Sequence, residues 1–211
     1  MDPDDCDCGD PEATTGGSTA AEDRWLDGDD PLHEPLPATM QVALGDLVGR
    51  VRVETLADWA DDLGDRLENG RLSIDDLCHT DADTGHRGTV DGDRYDFRCF
   101  FDAVILAALV DEPVGIETTN PRGSTVTARA VGTDAVAVEP ETAAFSFGVD
   151  PAVAAQAEAA DGLGVGYRAI CPYVHAFSTR AEYFAWAVVQ PVPTVGLPMA
   201  SASAFAEVLT D

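Results

Sequence analysis

Not one lysine occurs in this chain: all 12 basic residues are arginines, set against 39 aspartates and glutamates, for a net charge of −27. A fold carrying that load must gather its apolar residues inside and live with a shell of carboxylates that repel one another. At molar salt the Debye length shrinks to about 3 Å, and such repulsion becomes tolerable. The pattern therefore predicts a protein adapted to a salt-rich cytosol. An acidic tail on an ordinary domain would give a similar total, but residues 41–211 are acidic as well. With 45% hydrophobic residues in 211, a sizeable core can form.

The same charge excludes function classes. A nucleic-acid phosphate backbone asks for clustered Lys and Arg, and an anionic membrane surface asks for the same; neither partner fits. No apolar run reaches the roughly 18 residues of a membrane span, and Met1–Asp10 lacks the basic-then-apolar layout of a signal peptide. The expected location is the cytoplasm. The five cysteines, Cys6, Cys8, Cys78, Cys99 and Cys171, are an odd set that reads as reduced thiols rather than as a disulfide framework.

Residues 1–35 are rich in Asp, Gly, Pro, Ser and Thr, with Trp25-Leu26 as an apolar pair, and read as a disordered acidic arm. Residues 36–95 read as a helical, winged-helix-like unit. It has two helical patterns over 38–70, one of them with Leu56, Trp59, Ala60 and Leu63 on a single face. A short third helix over 71–80 and a hairpin around Asp91-Gly92 complete it. Residues 96–211 read as a mixed strand and helix catalytic domain. It opens with an apolar helix over 97–110, N-capped by Asp96. Strands follow at 114–119, 124–131, 136–139 and 143–148, then an Ala-rich helix over 151–160 and a glycine loop at 162–166. A strand at 168–177, a helix opened by the capping box of Thr179 and Glu182, and a last helix over 200–209 close it. The class is α+β.

The chemistry-bearing feature is Arg98-Cys99-Phe100-Phe101-Asp102. On a helix, positions i and i+3 are neighbours, and the first turn favours negative charge, which would make thiolate available. Asp102 opposes that as a like charge, so the pair suits a proton passed between thiol and carboxyl. Alone, the spacing is a weak signal that more often marks a buried cysteine beside a dipole partner. Its context is more specific. Cys99-Phe-Phe-Asp102-Ala-Val-Ile-Leu-Ala-Ala-Leu109, then Val138-Glu139-Pro140, then Ile170-Cys171-Pro172-Tyr173-Val174-His175-Ala176-Phe177, followed by a helix with Trp186, stand in order along residues 86–190. This run resembles the organomercurial (alkylmercury) lyases. There are two departures: Asn120 or its neighbours hold the place of a structural cysteine, and Pro172 holds that of a cysteine beside the second working thiol.

The resemblance implies catalytic roles for Cys99, Asp102 and Cys171, protonolysis of a carbon–mercury bond, and transient Hg²⁺ held by Cys99 and Cys171 beside Asp102. It implies no organic cofactor. The product ion would pass to a small thiol or a mercuric reductase, as mercury resistance and detoxification require. The alternative is a soft-metal carrier or sensor using the same thiols without cleavage; a third possibility is a thiol redox protein, which no C-x-x-C supports. Other features carry less. Cys6-Asp7-Cys8 could relay a soft metal or be incidental, Cys78-His79 reads as packing, and His175, four residues from Cys171, would share its face on a regular strand. The glycine loop lacks the strand and Lys of a phosphate site, and Asp81–Gly85 lacks the later Glu of a calcium loop.

Overall fold

The computed structural model describes residues 24–67, 72–110, 112–134, 136–157 and 163–210. Helices α1 (Ala38–Leu47) and α2 (Leu56–Gly64) lead the chain, as the apolar periodicity expects. A reciprocal cap starts α2: the Thr55 hydroxyl accepts from the Asp58 N–H while the Asp58 carboxylate accepts from the Thr55 N–H. The expected third helix is reduced to a 3₁₀ turn at Ile74–Asp76. The chain then turns extended, because Arg98 N–H donates to Cys78 O (3.0 Å) and His79 bridges Phe97.

Strands β1 (His86–Val90) and β2 (Asp93–Asp96) form the expected hairpin. Asp91 and Gly92 both have positive φ, as a two-residue turn of this twist requires. The hairpin does not stand alone. β1 pairs with β3 (Val114–Thr119), which pairs with β4 (Thr125–Ala130) and then β5 (Ala137–Glu139), giving one antiparallel sheet in the order β2-β1-β3-β4-β5. A second sheet, β7-β6-β8, is built from β6 (Ala144–Gly148), β7 (Ala176–Phe177) and β8 (Thr194–Pro198).

Between the sheets lies α3 (Phe101–Leu109), buried on nearly every side, with α7 (Ala202–Thr210) packed along it. Gly88 permits the close approach of α3 to β1. A Cβ there would lie 3.3 Å from Leu106 and 3.5 Å from Ala103. Aromatic rings tie the layers together: Phe101 to Phe205 at 5.0 Å, Phe147 to Phe205 at 5.5 Å, and Trp59 to Phe147 at 5.4 Å between centroids. One cluster of buried residues runs from Leu26 to Leu209. Short helices α4 (Pro151–Ala154) and α5 (Gly164–Ile170), and helix α6 (Arg180–Ala187), complete the α+β fold. No described helix is long and apolar enough to cross a membrane.

Three local expectations are corrected. Residues 1–23 of the acidic arm, Cys6 and Cys8 included, lie outside the described residues, but residues 24–35 are not a loose arm. Trp25 and Leu26 are buried, the backbone of Arg24 and Leu26 hydrogen-bonds Gly196 on β8, and the Arg180 guanidinium covers the Trp25 ring at 4.6 Å. Asp96 is not the cap of α3; it pairs with Arg94 on β2, and Phe100 occupies the cap position. The segment 168–177 is mostly not a strand. Pro172 has no N–H for a ladder but fits a first helical turn, so α5 runs into a 3₁₀ turn at Cys171–Tyr173 and only Ala176-Phe177 pairs.

Candidate active site

Cys99 stands in the turn just before α3 and Asp102 in its first turn, so they are brought together by the chain reversal at the helix entry. The Cys99 thiol donates to Asp102 Oδ2 at 3.1 Å. The other carboxylate oxygen, Oδ1, accepts the backbone N–H of Cys78 at 3.3 Å. Cys171, at the end of α5, presents its sulfur to the same place. The ligand atoms of Cys99, Asp102 and Cys171 all lie within 4.8 Å of one another, and all three residues are buried. They border a cavity of about 90 Å³ whose walls are almost wholly apolar, with Trp59, Leu63, Leu77, Ile105, Phe147 and Leu209 among them.

Electrostatics in this cavity favour protonated groups. Burial raises the Asp102 carboxyl above the ordinary range, against the lowering influence of its hydrogen bonds from Cys99 and Cys78. Cys99 accepts a hydrogen bond from Cys171 that favours its thiolate, but complete burial and the nearby Asp102 carboxylate outweigh it and push its pKa up. The neighbouring Cys78 and Cys99 thiols, with burial, hold the proton on Cys171 and raise its pKa above that of a free thiol. The helix-entry position therefore does not leave a standing thiolate at Cys99, as the sequence suggests; desolvation and a like-charged neighbour win over the helix dipole. The resting site keeps both thiols protonated beside a carboxyl of raised proton affinity.

Sequence reasoning missed two participants. Cys78 reads as packing because Asp102 is remote along the chain, yet its N–H holds the Asp102 carboxylate. Tyr167 on α5 lines the cavity with a buried hydroxyl that has no hydrogen-bond partner among the described residues. Conversely, His175 does not share a strand face with Cys171. The 3₁₀ turn rotates it away, and its Nε2 meets Pro172 O at 2.9 Å, stapling the turn that carries Cys171. His79 is likewise structural, with Nε2 at 2.8 Å from Ile74 O. Asn120, where the lyase resemblance fails, joins the two sheets. Its side chain donates to Ala176 O (3.2 Å) and to Glu182 Oε1 (3.1 Å) and accepts from the N–H groups of Arg122 and Ser124. Thr179 caps α6 as expected, but Glu182 serves Asn120, Ser124 and Ser178 N–H rather than the cap residue.

His86 and His175 lie side by side, 5.9 Å between ring centroids, both buried. Burial lowers each to about 4, from 6.5. A base whose folded pKa is depressed binds its proton more readily when unfolded, so stability is full above pH 6.5 and is lost as pH falls toward 4. The expected loss is at most about 3 kcal/mol per histidine. Denaturant unfolding measured between pH 7.5 and 4 checks it: a pH-independent midpoint would show that these rings are not buried neutral.

The family model described as alkylmercury lyase matches residues 79–211. A solved structure titled the mercury-bound form of MerB2 is similar over 61% of this chain and 58% of that one, at 14% identity and a TM-score of 0.45. The chain thus spans somewhat over half the length of that structure. No curated protein sequence matches the chain. With its match covering more than half of the residues and taking in Cys99, Asp102 and Cys171, the chain belongs to the alkylmercury lyase family.

Proposed function

We propose that this protein cleaves carbon–mercury bonds by protonolysis, with Cys99, Asp102 and Cys171 as the working residues. The observation that carries the reading is the convergence of two thiols and one carboxyl within 4.8 Å at the wall of a small apolar cavity. Mercury is soft and takes thiolate ligands, while an alkyl or aryl group on it needs an apolar seat. A cationic organomercurial and two thiols give a hydrocarbon, a bis-thiolate Hg²⁺ and one proton. Of the two thiol protons, one goes to carbon and one to solvent. Asp102 Oδ2, already bonded to the Cys99 S–H, takes that proton as sulfur binds mercury. The second sulfur, Cys171, adds electron density to the metal, and the carbon leaves toward the proton on Asp102. No organic cofactor enters this scheme.

The ion left behind would pass to a low-molecular-weight thiol or a mercuric reductase in the cytoplasm, where thiols remain reduced. Continuous hydrocarbon release from phenylmercury with excess thiol in molar KCl tests the reading. Benzene formed over many turnovers is the expected result; tight mercury binding with no benzene would make the protein a carrier.

We also read the acidic shell as an adaptation to salt. Arginine pairs such as Arg50–Asp62 (2.9 Å) and Arg87–Glu117 (3.1 Å) are surface contacts worth little each. Screening must therefore relieve most of the repulsion among 39 carboxylates. Thermal unfolding followed from molar to millimolar KCl should show a steadily falling midpoint, and a flat profile would remove the halophile reading.

A further inference from the structure

The cavity beside Cys99, Asp102 and Cys171 is walled in part by residues that precede the family match. Trp59 and Leu63 reach it from α2, and Leu72 and Leu77 from the segment that follows, whereas the match begins at residue 79. Trp59 is the largest of these and is 6% exposed. Its ring lies 5.4 Å from that of Phe147 and 6.3 Å from that of Phe205, tilted by 59° and 56°. Phe147 lines the cavity too, and Phe205 packs on Phe101, another lining residue. The indole is thus held among aromatic neighbours and moves aside only if the core repacks.

With mercury held at the sulfurs, this space has to seat only the organic group. Its volume is about 90 Å³. An apolar protein cavity of about 150 Å³ takes benzene, so here a single ring already presses on the walls. A second fused ring must displace the indole or stay outside in water. We propose that Trp59 sets the upper size of the organic group at one aromatic ring, which makes short-alkyl and monocyclic aryl mercurials the substrates. The inference rests on the reading of this cavity as the seat of an organomercurial. Because Trp59 lies outside the matched residues, the limit belongs to this chain rather than to the matched catalytic core.

The test compares hydrocarbon release, as kcat/KM, from ethyl-, phenyl- and 1-naphthylmercury by the full chain, Trp59→Leu and Trp59→Phe. The parent should favour phenyl over naphthyl by about 10- to 200-fold, the usual worth of excess bulk at an apolar pocket. Trp59→Leu should erase most of that preference, with Trp59→Phe between the two. The indole N–H has no hydrogen-bond partner among the described residues, so neither change strands a polar group. Circular dichroism verifies folding, and Trp59→Phe, the milder change, keeps the comparison if Trp59→Leu fails to fold. Lost packing alone would lower all three rates together and leave their ratios where they were. A parent that cleaves naphthylmercury as fast as phenylmercury, or a naphthyl-to-phenyl ratio unchanged in the folded variants, overturns the proposal. If the parent releases no hydrocarbon from any of the three, the cleavage reading itself fails and takes this inference with it, a result distinct from the first two.

Discussion

Replacing Asp102 by asparagine is expected to slow hydrocarbon release by about 10² to 10⁴-fold, the usual worth of a positioned proton transfer, while Hg²⁺ affinity stays close to that of the parent. The amide has nearly the shape of the carboxyl, and its oxygen can still accept the Cys78 N–H that Oδ1 accepts. It cannot take the proton of Cys99 and return it to carbon. The burial that raises the pKa of Asp102 is part of the same account, since it makes the carboxyl a better acceptor for a thiol proton. Paired measurements of Hg²⁺ binding and hydrocarbon release separate the two effects. An Asp102→Asn protein that cleaves as fast as the parent would take the proton-transfer role away from this residue.

Cys171→Ala should be the most damaging single change. Cys171 is the second soft ligand of the group, so its loss leaves Cys99 and Asp102 with a single sulfur for the metal. Cleavage is expected to become undetectable, and Hg²⁺ affinity to fall by more than the roughly hundredfold cost of a supporting group. Cys99→Ala should lose cleavage equally and loosen mercury, because Asp102 then has no thiol proton to accept and Cys171 is left as the one thiolate of the ligand group. A Cys171→Ala protein holding Hg²⁺ as tightly as the parent would show that the metal is bound elsewhere.

Legibility in the sequence followed the range of the interactions involved. The Cys99–Asp102 pair is set by three residues of spacing at a helix entry, and it could be read directly. The hairpin was equally local, because Asp91-Gly92 dictates its turn. The place of Cys171 came from family resemblance, whereas its conformation was misread. The segment 168–177 reads as a strand, but Pro172 supplies no ladder donor and the chain takes a 3₁₀ turn. That single error also misplaced His175, whose assigned face depended on strand alternation. Cys78 and the docking of Trp25 and Leu26 were hidden for another reason. Both depend on partners far along the chain, Asp102 in one case and Gly196 on β8 in the other, and no local pattern encodes either contact. Asn120 shows the converse, because a position that reads as a missing cysteine carries a hydrogen-bond junction between the two sheets.

The central claim is that two thiols and a carboxyl suffice to break the carbon–mercury bond, and a single-turnover experiment without added thiol tests it most directly. Phenylmercury is mixed with an excess of reduced protein in molar KCl, and benzene and protein-bound mercury are quantified together. The account predicts one benzene per mercury retained, because Cys99 and Cys171 provide both sulfurs and Asp102 delivers the proton with no outside reagent. Retention of intact phenylmercury, with mercury bound and no benzene formed, would contradict it.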